Sequence, residues 1–105
     1  MAVLKTTSHT ISVTVEDGAI RVEPDTLVMS SQDEVQWAGT SARGFTIEFE
    51  GRSPFAERAL SHALAQGKRR PASTGRFKYT VISAANPQLK LDPVIIVEDP
   101  PTPHP

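Results

Sequence analysis

Polar and apolar residues alternate with a period of two through most of the chain. In HTISVTVE, residues 9–16, the side chains of Ile11, Val13 and Val15 fall on one face, the pattern of a half-buried strand. Asp17-Gly18 supplies a tight-turn signal before AIRVE, so the first two strands are expected to form a hairpin. Pro24-Asp25 breaks the run, after which TLVMS and DEVQW read as two more strands separated by Ser31-Gln32. GFTIEFEG alternates without a fault, with Phe45, Ile47 and Phe49 on one face and Thr46, Glu48 and Glu50 on the other. RFKYTVIS and LKLDPVIIVE form the last two strands, joined by AANPQ.

One segment carries helical punctuation instead. Ser53 stands as an N-cap and Pro54 at the first helical position. Ala56, Ala59, Leu60, Ala63 and Leu64 follow at helical spacing, and Gly67 with Lys68-Arg69-Arg70 marks the end. A helix of about three turns is expected there. The cations at its end favour the helix dipole, and KRRPASTG reads as a basic surface loop.

These elements predict an all-β, antiparallel two-sheet sandwich of the immunoglobulin-like or cupredoxin-like kind, with one short inserted helix. A small mixed barrel is the other architecture they fit. Residues 1–98 are expected to form the single sandwich domain, and 99–105, DPPTPHP, a flexible proline-rich tail without a hydrophobic anchor. The length of 105 residues leaves room for one modest core. Nine prolines and six glycines suit a turn-rich domain, and a net charge of -1 supplies no field to recruit nucleic acid or an acidic membrane. The absence of cysteine removes disulfides and thiolate chemistry, leaving the redox compartment open. The alternating start lacks a signal peptide's apolar run and no stretch is long enough to span a bilayer, so a cytoplasmic location is expected.

Three stretches resemble the cupredoxins: SQDEVQWAG, GFTIEF and GRFKYTV, the last similar to that family's Gly-x-aromatic-x-aromatic strand. The resemblance places Phe45 where the first histidine ligand stands, Val81 at the cysteine, and Ala84 and Leu89 near the second histidine and the methionine. A blue-copper site needs a thiolate and two imidazoles, so no copper or other cofactor is expected. A closer resemblance is to the small bacterial DP-EP family. LDPVIIVED carries it, together with the Glu23-Pro24 dipeptide in RVEPDTLVMS and a second Glu-Asp-Pro run at Glu98-Asp99-Pro100. That resemblance implies a copper-free β-sandwich with self-processing activity at the Asp-Pro bond ahead of the last strand.

The chemistry of Asp92-Pro93 permits such a reaction. The aspartate carboxylate can attack its own backbone carbonyl to close a five-membered anhydride, a geometry in which effective molarity is high. Proline leaves readily, because its tertiary amide is more easily twisted and protonated than an ordinary peptide. A proton donor is still required, and a carboxyl kept neutral by burial or by a second carboxylate can serve. Glu48, Glu23 and Asp33 are the candidates. Water would open the anhydride to a new carboxyl terminus at Asp92; a neutral lysine amine would open it to a Lys-Asp isopeptide link. Lys78 is the preferred lysine because its strand is expected to pair with the strand holding Asp92, and Lys90 is the rival. The segment from residue 93 to 105 would stay bound without a covalent link. Asp99-Pro100, at the mouth of the tail, is expected to be inert.

Other constellations are thinner. His9, His62 and His104 have no partner at metal-ligand spacing, there is no Gly-x-Ser-x-Gly elbow, and Trp37 and Tyr79 read as core residues. The alternative to self-processing is a non-catalytic, copper-free interaction module in which Arg43, Lys68, Arg69 and Arg70 face a protein partner.

Overall fold

The structure is a computed structural model that describes residues 7–16, 18–39, 44–61, 65–84 and 86–99. Among the described residues nine strands follow one another: β1 Ser8–Glu16, β2 Ala19–Glu23, β3 Thr26–Ser30, β4 Glu34–Gly39, β5 Phe45–Phe49, β6 Ala59–Leu60, β7 Gly75–Ser83, β8 Lys90–Leu91 and β9 Val94–Glu98. They build the expected sandwich. One sheet has the order β2-β1-β4 and the other β3-β9-β7-β5-β6, with β8 beside β7. The expected hairpin is present, with Glu16 opposite Ala19 and Gly18 at a φ of 81°, the left-handed region a tight turn requires. Two pairings are parallel, β1 with β4 and β3 with β9; each joins strands from opposite ends of a crossover, and no local turn signal announces it.

Alternation decides the core. Ile11, Val13, Val22, Val35 and Trp37 of the small sheet face Phe45, Ile47, Phe49, Phe77, Tyr79, Val81, Ile95 and Val97 of the large one, all buried. The Trp37 indole N–H donates to the Tyr79 hydroxyl at 3.3 Å, and the two rings meet edge to face with centroids 5.7 Å apart. Burial pushes the Tyr79 phenol well above its ordinary pKa. Both residues are core, as the sequence indicates.

The inserted helix is not seen. Ser53 does accept a bond from the Phe55 N–H at 3.0 Å, the bond an N-cap makes. The chain then leaves the helical path. Phe55 turns inward between Trp37 and Phe49, with centroids 6.1 and 5.7 Å away, and Ala59–Leu60 pairs with Ile47–Glu48 on the edge of the large sheet. Leu60 is fully buried while Ala56 and Ala59, two of the small residues that suggested a helical face, are exposed. Aromatic burial and ladder bonds override a weak propensity. An i to i−4 bond from Ala65 N–H to Ser61 O, 2.8 Å, is formed; residues 62–64, with His62, Ala63 and Leu64 of the expected helix, lie outside the described residues. So do residues 100–105 of the expected tail. Among the described residues no helix is long and apolar enough to cross a membrane.

Candidate functional site

Asp92-Pro93 lies where a single strand is interrupted. Ser83 ends β7, and its hydroxyl accepts the Asn86 N–H at 3.2 Å. The Asn86 side chain accepts from Gln88 N–H at 3.2 Å, while Leu89 N–H returns to Asn86 O at 2.9 Å. These side-chain turns fix the register of the hairpin that follows. That register runs from Ile82 opposite Lys90 to Gly75 opposite Val97 without a slip, so Thr80 faces Asp92 and Tyr79 faces Pro93. The Tyr79 N–H donates to Pro93 O at 3.1 Å. Pro93 has no N–H to return to the Tyr79 carbonyl, and the ladder breaks there into β8 and β9.

The two residues of the bond point opposite ways. Pro93 is buried with its neighbours on the inner side, and Asp92 is exposed. The Asp92 Oδ1 accepts a hydrogen bond from the Thr80 hydroxyl at 2.9 Å. Glu48 stands directly opposite Thr80 on the other side of β7, so Glu48, Thr80 and Asp92 form one cross-strand row on the outer face. Lys78 is on that face too, exposed and opposite Val94. It is a diagonal neighbour of Asp92, a relation that separates Cβ atoms by roughly 7–8 Å. Lys90, exposed and two residues before Asp92, shares the face at about 6.6 Å along the strand.

On the inner side, the bond lines a groove of about 390 Å³ together with Ile20, Arg21, Val22, Glu23, Asp25 and Leu91. The loop between β2 and β3 forms one wall of the groove: Asp25 O accepts the Val94 N–H at 2.8 Å, docking that loop on β9. Glu23, one of the predicted proton donors, therefore shares a groove with the Asp-Pro bond. Glu48 reaches it only through the outer row. Asp33 is elsewhere, in the turn between β3 and β4, where it accepts bonds from His9 Nε2 at 2.9 Å, Ser30 N–H at 3.0 Å and Thr7 N–H at 3.3 Å. Desolvation works to raise its pKa, but the His9 bond and the two backbone donors outweigh it and hold the carboxyl below its ordinary value. It is a structural acceptor and a poor proton donor.

Thr80 and Asp25 were missed by sequence reasoning. Asp25 looks like a turn residue, which it is. Thr80 becomes visible only through the strand register, and the alternation of Lys78, Thr80 and Ile82 on the outer face of GRFKYTVIS was the available signal. The basic loop changes character as well. Arg69 makes an ion pair with Glu57 at 2.9 Å and Arg70 one with Glu34 at 3.4 Å, and Arg69 exchanges both backbone bonds with Val35 at 2.8 Å. Arg43 lies outside the described residues, and Lys68 is exposed.

No family model and no curated protein matches the sequence. Among solved structures, the chain is similar to a reduced copper(I) form, at pH 4, of a proline-to-glycine mutant of amicyanin. The TM-score is 0.53 at 19% identity, covering 85% of this chain and 82% of that one. The fold is that of a cupredoxin. A reduced proline-to-phenylalanine mutant of amicyanin also matches, with a TM-score of 0.49 and 18% identity over the same shares of the two chains. The copper named for the first protein has no counterpart in the chemistry here. The cupredoxin pattern puts Phe45 and Val81 at two ligand positions, and both are fully buried hydrocarbon. The Phe45 ring packs so tightly on Gly39 that a Cβ there would lie 2.4 Å from Cε1. Aromatic packing fills the region among the described residues, and neither of these two positions carries a thiolate or an imidazole to take a soft metal. Among the described residues no group of three His, Cys, Asp or Glu side chains is placed to hold a metal ion.

Proposed function

We propose that this domain cuts its own chain once, at Asp92-Pro93, through the Asp92 carboxylate. The observation that carries the reading is the placement of that bond: its proline is held in the ladder by Tyr79, its carboxylate accepts from Thr80 alone among the described residues, and a groove bearing Glu23 and Asp25 opens on the inner side. The Asp92 carboxylate and its own carbonyl carbon are the two ends of the closure, and the fixed proline nitrogen is the leaving group. Attack by Oδ2 on the Asp92 carbonyl carbon forms the anhydride and breaks the C–N bond, and the Pro93 nitrogen takes a proton. Glu23, lining the groove, and Glu48, in the outer row, are the residues assigned to supply it. The intramolecular anhydride makes the reaction aspartic-peptidase-like with a single turnover.

The released segment has a reason to stay. β9 is a central strand, paired with β3 on one side and β7 on the other, and Ile95 and Val97 are buried. Each such side chain contributes about 1.5–3 kcal/mol of burial, in addition to two ladders. Cleavage would leave 93–105 docked in a sandwich that looks intact. We also take the domain to be cytoplasmic, without copper or other cofactor.

The two Asp-Pro bonds supply the test. Incubated folded protein, denatured and analysed for new amino termini, is expected to yield Pro93 and no Pro100. Asp92→Ala should abolish the product and Asp99→Ala should leave it unchanged. Cleavage at both bonds alike would reduce the event to ordinary acid lability of Asp-Pro, and cleavage in the Asp92→Ala variant would exclude the Asp92 carboxylate as the attacking group. The alternative is a non-catalytic interaction module in which Arg43, Lys68, Arg69 and Arg70 face a protein partner; of these, Arg69 pairs with Glu57 and Arg70 with Glu34.

A further inference from the structure

Resting on the self-cleavage reading, we infer that Thr80 captures the anhydride, so that the product is an ester joining the Thr80 side chain on β7 to the Asp92 side chain at the end of β8. The geometry points to this residue above the lysines. Thr80 Oγ1 is 2.9 Å from Asp92 Oδ1, and the register holds the two residues directly opposite each other, fixed on one side by β5 and on the other by the Ser83 and Asn86 turn. Lys78 is a diagonal neighbour and Lys90 a neighbour along the strand; a lysine must also shed its ammonium proton before it can attack.

The atoms balance without water. In the first step the Asp92 Oδ2–carbonyl carbon bond forms, the carbonyl carbon–Pro93 nitrogen bond breaks, and the nitrogen is protonated. In the second, Thr80 Oγ1 bonds to Asp92 Cγ, the Cγ–Oδ2 bond of the anhydride breaks, and the electron pair leaves with the main-chain carboxylate of Asp92. The hydroxyl proton returns to the donor that protonated Pro93. The result is an isomer of the starting chain with one amide exchanged for one ester. A hydroxyl held by strand register reacts with an effective concentration far above that of solvent, since oriented intramolecular reactions reach about 10⁵–10⁸ M. Asp92 has no following N–H, so the usual succinimide route, which needs that nitrogen, is closed at this bond.

Denaturing intact mass spectrometry before and after hydroxylamine tests the assignment. The expected fragment 1–92 is one water lighter than the hydrolysed chain, and hydroxylamine converts it to the hydroxamate, since esters yield to that reagent and amides do not. Thr80→Ser should keep the light, hydroxylamine-labile fragment, whereas Thr80→Val should give cleavage with the full hydrolysed mass. A light fragment stable to hydroxylamine would assign the link to a lysine and overturn the inference. A fragment 1–92 of full mass in the wild-type chain would also overturn it while leaving self-cleavage standing. An uncut chain overturns both.

Discussion

Replacing Pro93 by alanine separates the chemistry of the bond from the stability of the fold. The substitution removes two buried ring methylenes, worth about 1.6 kcal/mol at about 0.8 kcal/mol each. It also frees the unfolded chain, at about 0.4–1 kcal/mol. Against this, alanine restores the N–H that Pro93 lacks, opposite a Tyr79 that already donates to the residue 93 carbonyl at 3.1 Å; the new ladder bond returns about 0.5–1.5 kcal/mol. The net is a destabilisation of about 0.5–2 kcal/mol, a fall in Tm of about 2–9 °C. Urea titration measures the loss, and amide hydrogen exchange locates its compensation, because the residue 93 N–H of the variant should be protected like its neighbours in β9. The same variant should not cut itself, since a secondary amide in place of the imide resists protonation at nitrogen. An unprotected N–H, or a loss above about 4 kcal/mol, would mean that Pro93 is not seated in the ladder. Retained cleavage would refute the leaving-group argument.

Four further outcomes follow from the same structure. Asp33→Ala should destabilise by about 2–3 kcal/mol at neutral pH, because the Ser30 N–H and His9 lose a charged acceptor. Since the folded pKa of Asp33 lies below its unfolded value of 3.8, its stabilisation is present above that value and disappears as the pH falls through the folded pKa. Urea midpoints of wild type and variant should therefore converge in acid, and a gap independent of pH would disprove the assignment. Tyr79→Phe leaves the buried Trp37 indole N–H without its acceptor and should reduce stability by about 1–3 kcal/mol in thermal melts. Gly39→Ala drives a methyl into the Phe45 ring, a loss of about 1–3 kcal/mol by overpacking. Leu60→Ala, on the strand that replaced the expected helix, should cost about 2–5 kcal/mol; a value typical of an exposed site would show that β6 does not carry the core there.

Alternation made most of the strands legible, because each buries one face and the period of two survives in the sequence. What it did not reveal was non-local. Ser53, Pro54 and the alanines obey local helix rules, and the pull of Phe55 into the Trp37 cluster and of Leu60 onto β5 explains why no helix runs through residues 53–60. His9 and Asp33 are 24 residues apart, and it is the parallel pairing of β1 with β4 that brings them together. The candidate site divides the same way. Asp92, Pro93 and the outward placement of Lys78 and Glu48 follow from sequence chemistry and pattern, whereas Thr80 follows from register, a property of two strands and the turn between them.

The claim that the folded sandwich drives the reaction is tested most directly by following the intact mass of the wild-type chain, at neutral and mildly acidic pH, in native buffer and in concentrated urea. Fragments 1–92 and 93–105 should accumulate faster in the folded protein, and appear only once the sample is denatured for measurement. A single unchanged mass in native buffer, or equal rates with and without urea, would contradict it.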